Sequence, residues 1–459
     1  MTREELRELL FQKYIAPTQR PGDNYVGVEI EMPVVNLSGG ATDQDVTRRA
    51  ASSFIKEFNF VPQGIDAQGN VYSATDPLTG DNLSFDCSYN NMEFSFGREE
   101  RIADISDRFR KYVLCLNKIL QAEDHTLTGM GISPYHTKND NHYLPVPRYQ
   151  MLEGYLLHSS DWEEKMYFHP YPDFAAYASA SQVQLDVERH DLIETIRAYS
   201  LIEPVKAVLF DNAWMPEEPD ILCVRDIFWA NSTHGINPHN VGMYERIPAN
   251  EEELLDYIER TSLFCCERDG KYLHFAPIPA TEYFDLDEVE GLWYDKGKFY
   301  KVPFKPEVSD LKYLRTYKFE DLTFRGTIEY RSCCNQPFRD AMSVAAFHLG
   351  LSKWTGGLIG LMESDTSIYQ HGYTAAELRT ILNRREWPEF IDRKGLRRLC
   401  LSVLDLAGLG LKERGYGEEK YLEPLYERAD ELKSPARRMV EGLESGKSMA
   451  DYVLEYAEF

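Results

Sequence analysis

The chain has 459 residues, 43% of them hydrophobic, and sets 50 basic against 75 acidic side chains for a formal net charge of −25. That length exceeds one ordinary domain and supplies a sizeable core. A field of that sign repels phosphate backbones and anionic lipid, which argues against nucleic-acid or membrane partners and requires local cations, metal or arginine, at any nucleotide site.

The N-terminal MTREELRELLFQKYI reads as an amphipathic helix without the basic and apolar regions of a signal peptide. No apolar run reaches bilayer-spanning length, so a cytoplasmic protein is expected. The eight cysteines show no metal-ligand spacing, and the adjacent pairs Cys265-Cys266 and Cys333-Cys334 are expected to be reduced and buried.

Strand-like runs follow over residues 24–335: NYVGVEIEMPVV, LSFDCSYNNMEFSF, QVQLDV, AVLF and GTIEYRS, with helical patterns such as RIADISDRFRKYVLCLNKILQ between them. Several runs are polar on one face, which argues against a doubly wound parallel sheet and for an antiparallel α+β architecture with one functional face. From about residue 340 the pattern is helical, through AMSVAAFHLGLSKWTGGLIGLM, TAAELRTILNRREW, KGLRRLCLSVLDLAGLGLK and SPARRMVEGLESG. The expected division is a catalytic part, 1–355, and a helical C-terminal region, 356–459, packing on it.

The chemistry lies on the polar strand faces. In GVEIEMPVV, Glu29 and Glu31 project from one face and Val28 and Ile30 from the other. Two like charges side by side call for a cation, or else form an ordinary solvated face. In FDCSYNNMEFSFG, Asp86 and Glu93 flank a turn at Ser88–Asn91; a surface hairpin reads the same way. SASQVQLDVE alternates Gln182, Gln184, Asp186 and Glu188 with Val183, Leu185 and Val187. The loop THGINPHN holds His234 and His239, for which a structural role outweighs metal binding. In FRGTIEYRSCCNQP, Glu329 and Arg331 share a face, either as a surface ion pair or as a metal ligand beside a guanidinium for a migrating phosphate. Together these hard oxygen ligands favour Mg²⁺ or Mn²⁺ over zinc.

The ordered set GVEIE, FDCSYNNMEFSFG, GMGISPY with LPVPRYQMLEGY, QVQLD, VRDIFWANSTHGINPHNVGMY, GTIEYRSCCNQPF with AAFHLGL, and late GLKERGY with SPARRMVEGLESG resembles glutamate–cysteine ligase, in its plant-type branch that bacteria also carry. The resemblance runs from about residue 24 to about residue 447. It implies the glutamine-synthetase-like fold: a curved, mostly antiparallel sheet with helices on the convex side and a helical C-terminal region. It implies Glu31, Asp86 and Glu93 as ligands of one Mg²⁺, and Glu29 and Glu329 as ligands of a second, nucleotide-bound Mg²⁺. Two or three ions are implied in all, with Mn²⁺ as the alternative metal. Gln182 falls where other branches place a histidine ligand. Arg331 matches the arginine near the transferred phosphate, with Glu93 beside it in a catalytic role, and Arg225 and Arg148 match substrate-binding arginines. The implied reaction consumes ATP, joins the γ-carboxylate of glutamate to the amino group of cysteine, and belongs to glutathione biosynthesis. Another amine acceptor is the alternative, and a monomer or homodimer is expected.

Overall fold

Glu29 and Glu31 sit on an 11-residue strand, and that strand anchors the larger of two sheets. The computed structural model describes residues 1–459 except 21, 23, 159–161 and 163–167. In chain order the strands are β1 (Val26–Asn36), β2 (Val61–Ile65), β3 (Val71–Thr75), β4 (Asn82–Phe85), β5 (Asn91–Ser95), β6 (His125–Leu127), β7 (Ser181–Asp186) and β8 (Val241–Gly242), then β9 (Ser262–Arg268), β10 (Lys271–Pro279), β11 (Val289–Asp295), β12 (Lys298–Phe304), β13 (Tyr317–Lys318), β14 (Glu320–Leu322) and β15 (Thr327–Tyr330). Among the described residues the larger sheet runs β14-β15-β7-β1-β5-β4-β3-β2, with β6 also on β1, and its pairs are antiparallel. The expected antiparallel mixture of helix and sheet is therefore present.

Alternation decides what each face does. Val28 pairs with Val183, Ile30 with Phe94, and Ile328 with Leu185, and all six are buried. Residues opposite one another share a face, so one side of the sheet is mainly apolar, with the buried Glu320 opposite Tyr330 as an exception on β14. Phe94 packs on Phe54 and Tyr112 of the helices Gln44–Glu57 and Ile102–Gln121, with ring centroids 5.5 and 5.3 Å apart. The helix Ser343–Leu351, buried along its whole length, covers β7 and β1 further along. The long helix Arg393–Arg414 then crosses it so closely that a Cβ on Gly410 would lie 1.9 Å from the carbonyl oxygen of Gly350.

A second, four-stranded sheet, β12-β11-β10-β9, is an antiparallel meander. Its hairpins turn at Asp269-Gly270 and Lys296-Gly297, where all four residues have positive φ between 48 and 79°, as two-residue loops matching strand twist require.

One expectation is corrected. AVLF is no strand but the end of the helix Glu203–Phe210. All eight residues of that helix are buried, so no polar face reveals its period, and a buried helix then reads like a buried strand. Pro204 in its first turn, preset for helical φ, was the available signal. Among the described residues no helix is long and apolar enough to cross a membrane.

Candidate active site

The face of the larger sheet opposite the core is lined with oxygen. Glu31 stands across from Glu93, Glu29 across from Ser95 and Gln182, Gln184 across from Glu329, and Glu329 across from Asp321. The strand period thus gathers residues more than 200 positions apart. Asp86 joins them from the turn after β4, where its N–H donates to the Asn91 carbonyl at 3.2 Å and Cys87 adopts φ +57°. Carboxylate oxygens of Glu31, Asp86 and Glu93 come within 4.8 Å of one another.

Crowded, water-poor carboxylates resist ionisation. Burial, then Glu329, pushes Glu29 up to about 7. Burial, then Asp86, pushes Glu31 up to about 8. Burial also raises Asp86, and burial with Glu29, Asp86 and Glu31 around it raises Glu93 well above its ordinary value. Asp321, which was not singled out from sequence, rises to about 7 through burial. Such a cluster suits a divalent cation, which compensates the repulsion that otherwise keeps protons on it.

The amides fit the same role. Gln182 donates to Glu31 Oε1 at 2.9 Å, and its own Oε1 is buried without a hydrogen-bond partner among the described residues. Gln184 donates to Glu29 at 3.2 Å. Glu31 also accepts from the Ala180 N–H at 2.7 Å. The donor set is therefore carboxylate and amide oxygen, with one oxygen left over, as a hard cation requires.

Arg331 and Glu329 form an ion pair at 3.0 Å. Burial opposes the Arg331 charge, but Glu329 and Asp321 outweigh it and keep the guanidinium firmly protonated. Arg225 lies in the helix Val224–Ala230 and is 7% exposed. Its guanidinium donates to the carbonyls of Ser332 and Arg331, each at 3.3 Å, and makes no ion pair among the described residues. Arg148 stands in the first turn of the helix Pro147–Leu157, exposed at the cleft.

Six of the expected residues, Glu31, Asp86, Gln182, Arg148, Arg225 and Arg331, line one cleft between the larger sheet and the second sheet. Glu29 lies on an adjoining cavity with Gln184, Arg20, Arg98 and Arg325. Sequence reasoning did not single out the opposite wall, which includes Phe264, Tyr272, Tyr313 and Arg315. The Asp269-Gly270 pair was the available signal for its hairpin. It also missed Asp226, which lines the cleft and is held by Arg379 of the helix Ala375–Leu382 at 2.8 Å.

The residues read as structural behave so. His234 is buried among Tyr155, Trp229, Phe264 and Tyr317, and burial pushes it down to about 3. His239 is half-buried against Tyr257. All eight cysteines are free and seven are buried. Cys334 lies 3.4 Å from Cys223 and 3.8 Å from Arg225. Burial would raise its thiol, but the Cys223 hydrogen bond and Arg225 bring it down to about 6.

The site is thus a set of acidic oxygens on one sheet face with the buried Arg225 and the half-buried Arg331 beside it. No family model matches the chain. It is similar to the chloroplastic glutamate–cysteine ligases of Nicotiana tabacum, 23% identical over 324 residues, and Arabidopsis thaliana, 22% over 323 residues. Each alignment covers 68% of this chain and 56% of the relative, so the chain spans a little over half the length of the curated relatives it matches. Among solved structures it resembles a bifunctional glutathione synthetase from Pasteurella multocida, with TM-score 0.49 and 12% identity over 99% of this chain and 53% of that one. It also resembles a Francisella tularensis glutamate–cysteine ligase in complex with AMP, with TM-score 0.35 and 12% identity over 94% of this chain and 97% of that one. Over about two thirds of its length the chain is thus similar to glutamate–cysteine ligases.

Proposed function

We propose that the protein is an ATP-dependent ligase that activates the γ-carboxylate of glutamate as an acyl phosphate and transfers the γ-glutamyl group to the amine of an amino acid. Cysteine is the acceptor that the resemblance and the relatives' names supply. The observation that carries the reading is the cluster of Glu31, Asp86 and Glu93 oxygens within 4.8 Å, of which Glu31 and Asp86 line the same cleft as Arg225 and Arg331.

In this reading residues 1–355 form the catalytic part on a glutamine-synthetase-like curved sheet, and residues 356–459 support it. Glu31, Asp86, Glu93 and Gln182 would hold one Mg²⁺, and Glu29 and Glu329 a second. Bound there, Mg²⁺ neutralises phosphate charge and polarises the transferred group. The adjoining cavity with Arg20, Arg98 and Arg325 suits the anionic nucleotide, supplying the local cations that the overall −25 charge makes necessary.

A γ-carboxylate oxygen of glutamate forms a bond to the terminal phosphorus of ATP as the bond to the bridging oxygen breaks, and ADP leaves with that electron pair. Arg331 steadies the charge spread over the migrating group. The amine nitrogen then bonds to the acyl carbon and the carbon–oxygen bond to phosphate breaks. Two protons leave the entering ammonium, one ending on phosphate and one in solvent. The chain's work is positioning and electrostatics, since none of its side chains needs to form a covalent intermediate.

The test uses glutamate labelled with ¹⁸O in its γ-carboxylate. One labelled oxygen should appear in the released phosphate, in proportion to peptide formed. Phosphate without label would reject acyl-phosphate activation.

A further inference from the structure

The cleft has a second end. Across from Glu31, Asp86 and Arg331 its lining includes Phe264, Tyr272 and Tyr313 with Met151 and Leu152, and Tyr317 lies between, its ring centroid 5.7 Å from the Arg331 guanidinium. The rings are held in place before any substrate arrives. The Tyr313 hydroxyl donates to Glu267 at 2.7 Å, and Tyr317 stacks on Trp229 with centroids 4.6 Å apart and planes 15° from parallel. Behind them His234 is 1% exposed with both nitrogens unpartnered among the described residues, so even the one polar ring in the packing acts as apolar filler. Arg148 and Arg315 also line the cleft, are exposed to it, and make no ion pair among the described residues.

Two substrates must share this space. The reacting carboxyl of glutamate belongs beside the carboxylate cluster and Arg331. The rest of glutamate is an ammonium and a carboxylate, which gain nothing from apolar rings. Arg225, on the cleft without an ion-pair partner among the described residues, offers a positive charge to that carboxylate, and Asp226 beside it, already paired with Arg379, keeps the local charge balanced. The aromatic end is left to the other substrate. The single CH₂SH of cysteine covers little of such a wall, whereas a large side chain removes both itself and the rings from water.

We propose that the amine acceptor is an α-amino acid with a large apolar or aromatic side chain, seated against Phe264, Tyr272 and Tyr313, with its carboxylate held by Arg148 and Arg315. The proposal rests on the ligase reading and departs from the cysteine that the resemblance implies. Each methylene recognised in an apolar pocket changes kcat/KM by roughly 10–200-fold, so the preference is large enough to read.

The experiment supplies ATP, Mg²⁺ and glutamate with phenylalanine, tyrosine, leucine, methionine, cysteine or glycine, and follows ADP release and peptide mass. The kcat/KM for the best of the four large acceptors should exceed that for cysteine at least tenfold. Cysteine equal or better overturns the acceptor assignment and leaves the ligase reading standing. No glutamate-dependent ADP release with any of the six overturns the ligase reading, and the assignment falls with it. Two variants locate the pocket: Cys265→Leu, which narrows its wall, and Tyr272→Ala, which removes a ring. In each, the phenylalanine-to-glycine ratio of kcat/KM should fall at least tenfold. The ratio is independent of how much of a preparation is folded, and an unchanged ratio in both variants overturns the placement.

Discussion

Gln182 donates its amide to Glu31 Oε1 at 2.9 Å while its own carbonyl oxygen stays buried and unpartnered among the described residues. A buried acceptor left unpaired costs about 1–3 kcal/mol. A cation lodged among Glu31, Asp86 and Glu93 would satisfy it. Gln182 would then both fix the Glu31 carboxylate and complete the oxygen shell. Gln182→Ala should raise the Mg²⁺ concentration for half-maximal ADP release by roughly 10–100-fold, the usual cost of losing a group that orients metal ligands. A Mg²⁺ titration identical to that of the parent would leave Gln182 no part in the site.

The same carboxylates make a prediction about pH. The folded protein holds Glu29 near 7 and Glu31 near 8, above their ordinary range, chiefly through burial. The folded state therefore binds more protons than the unfolded chain, so this contribution to stability is present below about pH 4.5 and is lost as pH rises through 7 to 8. Without divalent cations the melting temperature should fall between pH 6 and 9. Cation binding displaces those protons, so the rise in melting temperature on adding Mg²⁺ should grow over the same interval. Thermal melts in EDTA and in Mg²⁺ across this range decide it; a Mg²⁺ increment that shrinks with pH contradicts the cluster's role.

Glu329 pairs with Arg331 at 3.0 Å on the cleft side of the sheet, away from the apolar core. Glu329→Gln keeps the side chain's shape and removes the charge that pairs with Arg331 and that the proposed function gives to the second Mg²⁺. Its kcat should fall about 10²–10³-fold, the scale of losing one preorganised electrostatic group, while the circular-dichroism spectrum and cooperative melting persist. Near-parental turnover at saturating Mg²⁺ would remove Glu329 from the reaction.

How much of this was legible in the sequence follows from period and distance. The strand period exposes Glu29 with Glu31, and Glu329 with Arg331, because each pair lies on one short segment. It cannot say that Glu31 faces Glu93, or that Gln184 sits between Glu29 and Glu329; those neighbours follow from strand order, which pairs segments distant in the chain. The helix Glu203–Phe210 was misread as strand because burial on every side erases the period. The aromatic wall escaped notice for a different reason. Phe264, Tyr272 and Tyr313 read as ordinary core aromatics, and only their placement opposite the carboxylates marks them as lining a cleft.

Arg225 was expected to bind substrate, and its surroundings sharpen that expectation. The guanidinium is 7% exposed and near Glu31, yet makes no ion pair among the described residues; it donates to the main-chain carbonyls of Ser332 and Arg331 at 3.3 Å and lies 3.8 Å from Cys334 Sγ. A buried cation held by carbonyl dipoles and a thiol, with no carboxylate paired to it among the described residues, favours an arriving anion, here the α-carboxylate of glutamate. The same contacts tie the helix Val224–Ala230 to the segment that carries Arg331. Arg225→Ala should therefore raise the glutamate KM at least tenfold with little change in the KM for ATP, and also lower kcat, since the Arg331 main chain loses its strap. Arg225→Lys restores the charge but not the planar fork, so it should recover part of the glutamate KM and little of kcat. Steady-state kinetics separates the two contributions. A fall in kcat with an unchanged glutamate KM in both variants would leave Arg225 as a strap alone, and the glutamate head group would then have to be sought at Arg148 or Arg315.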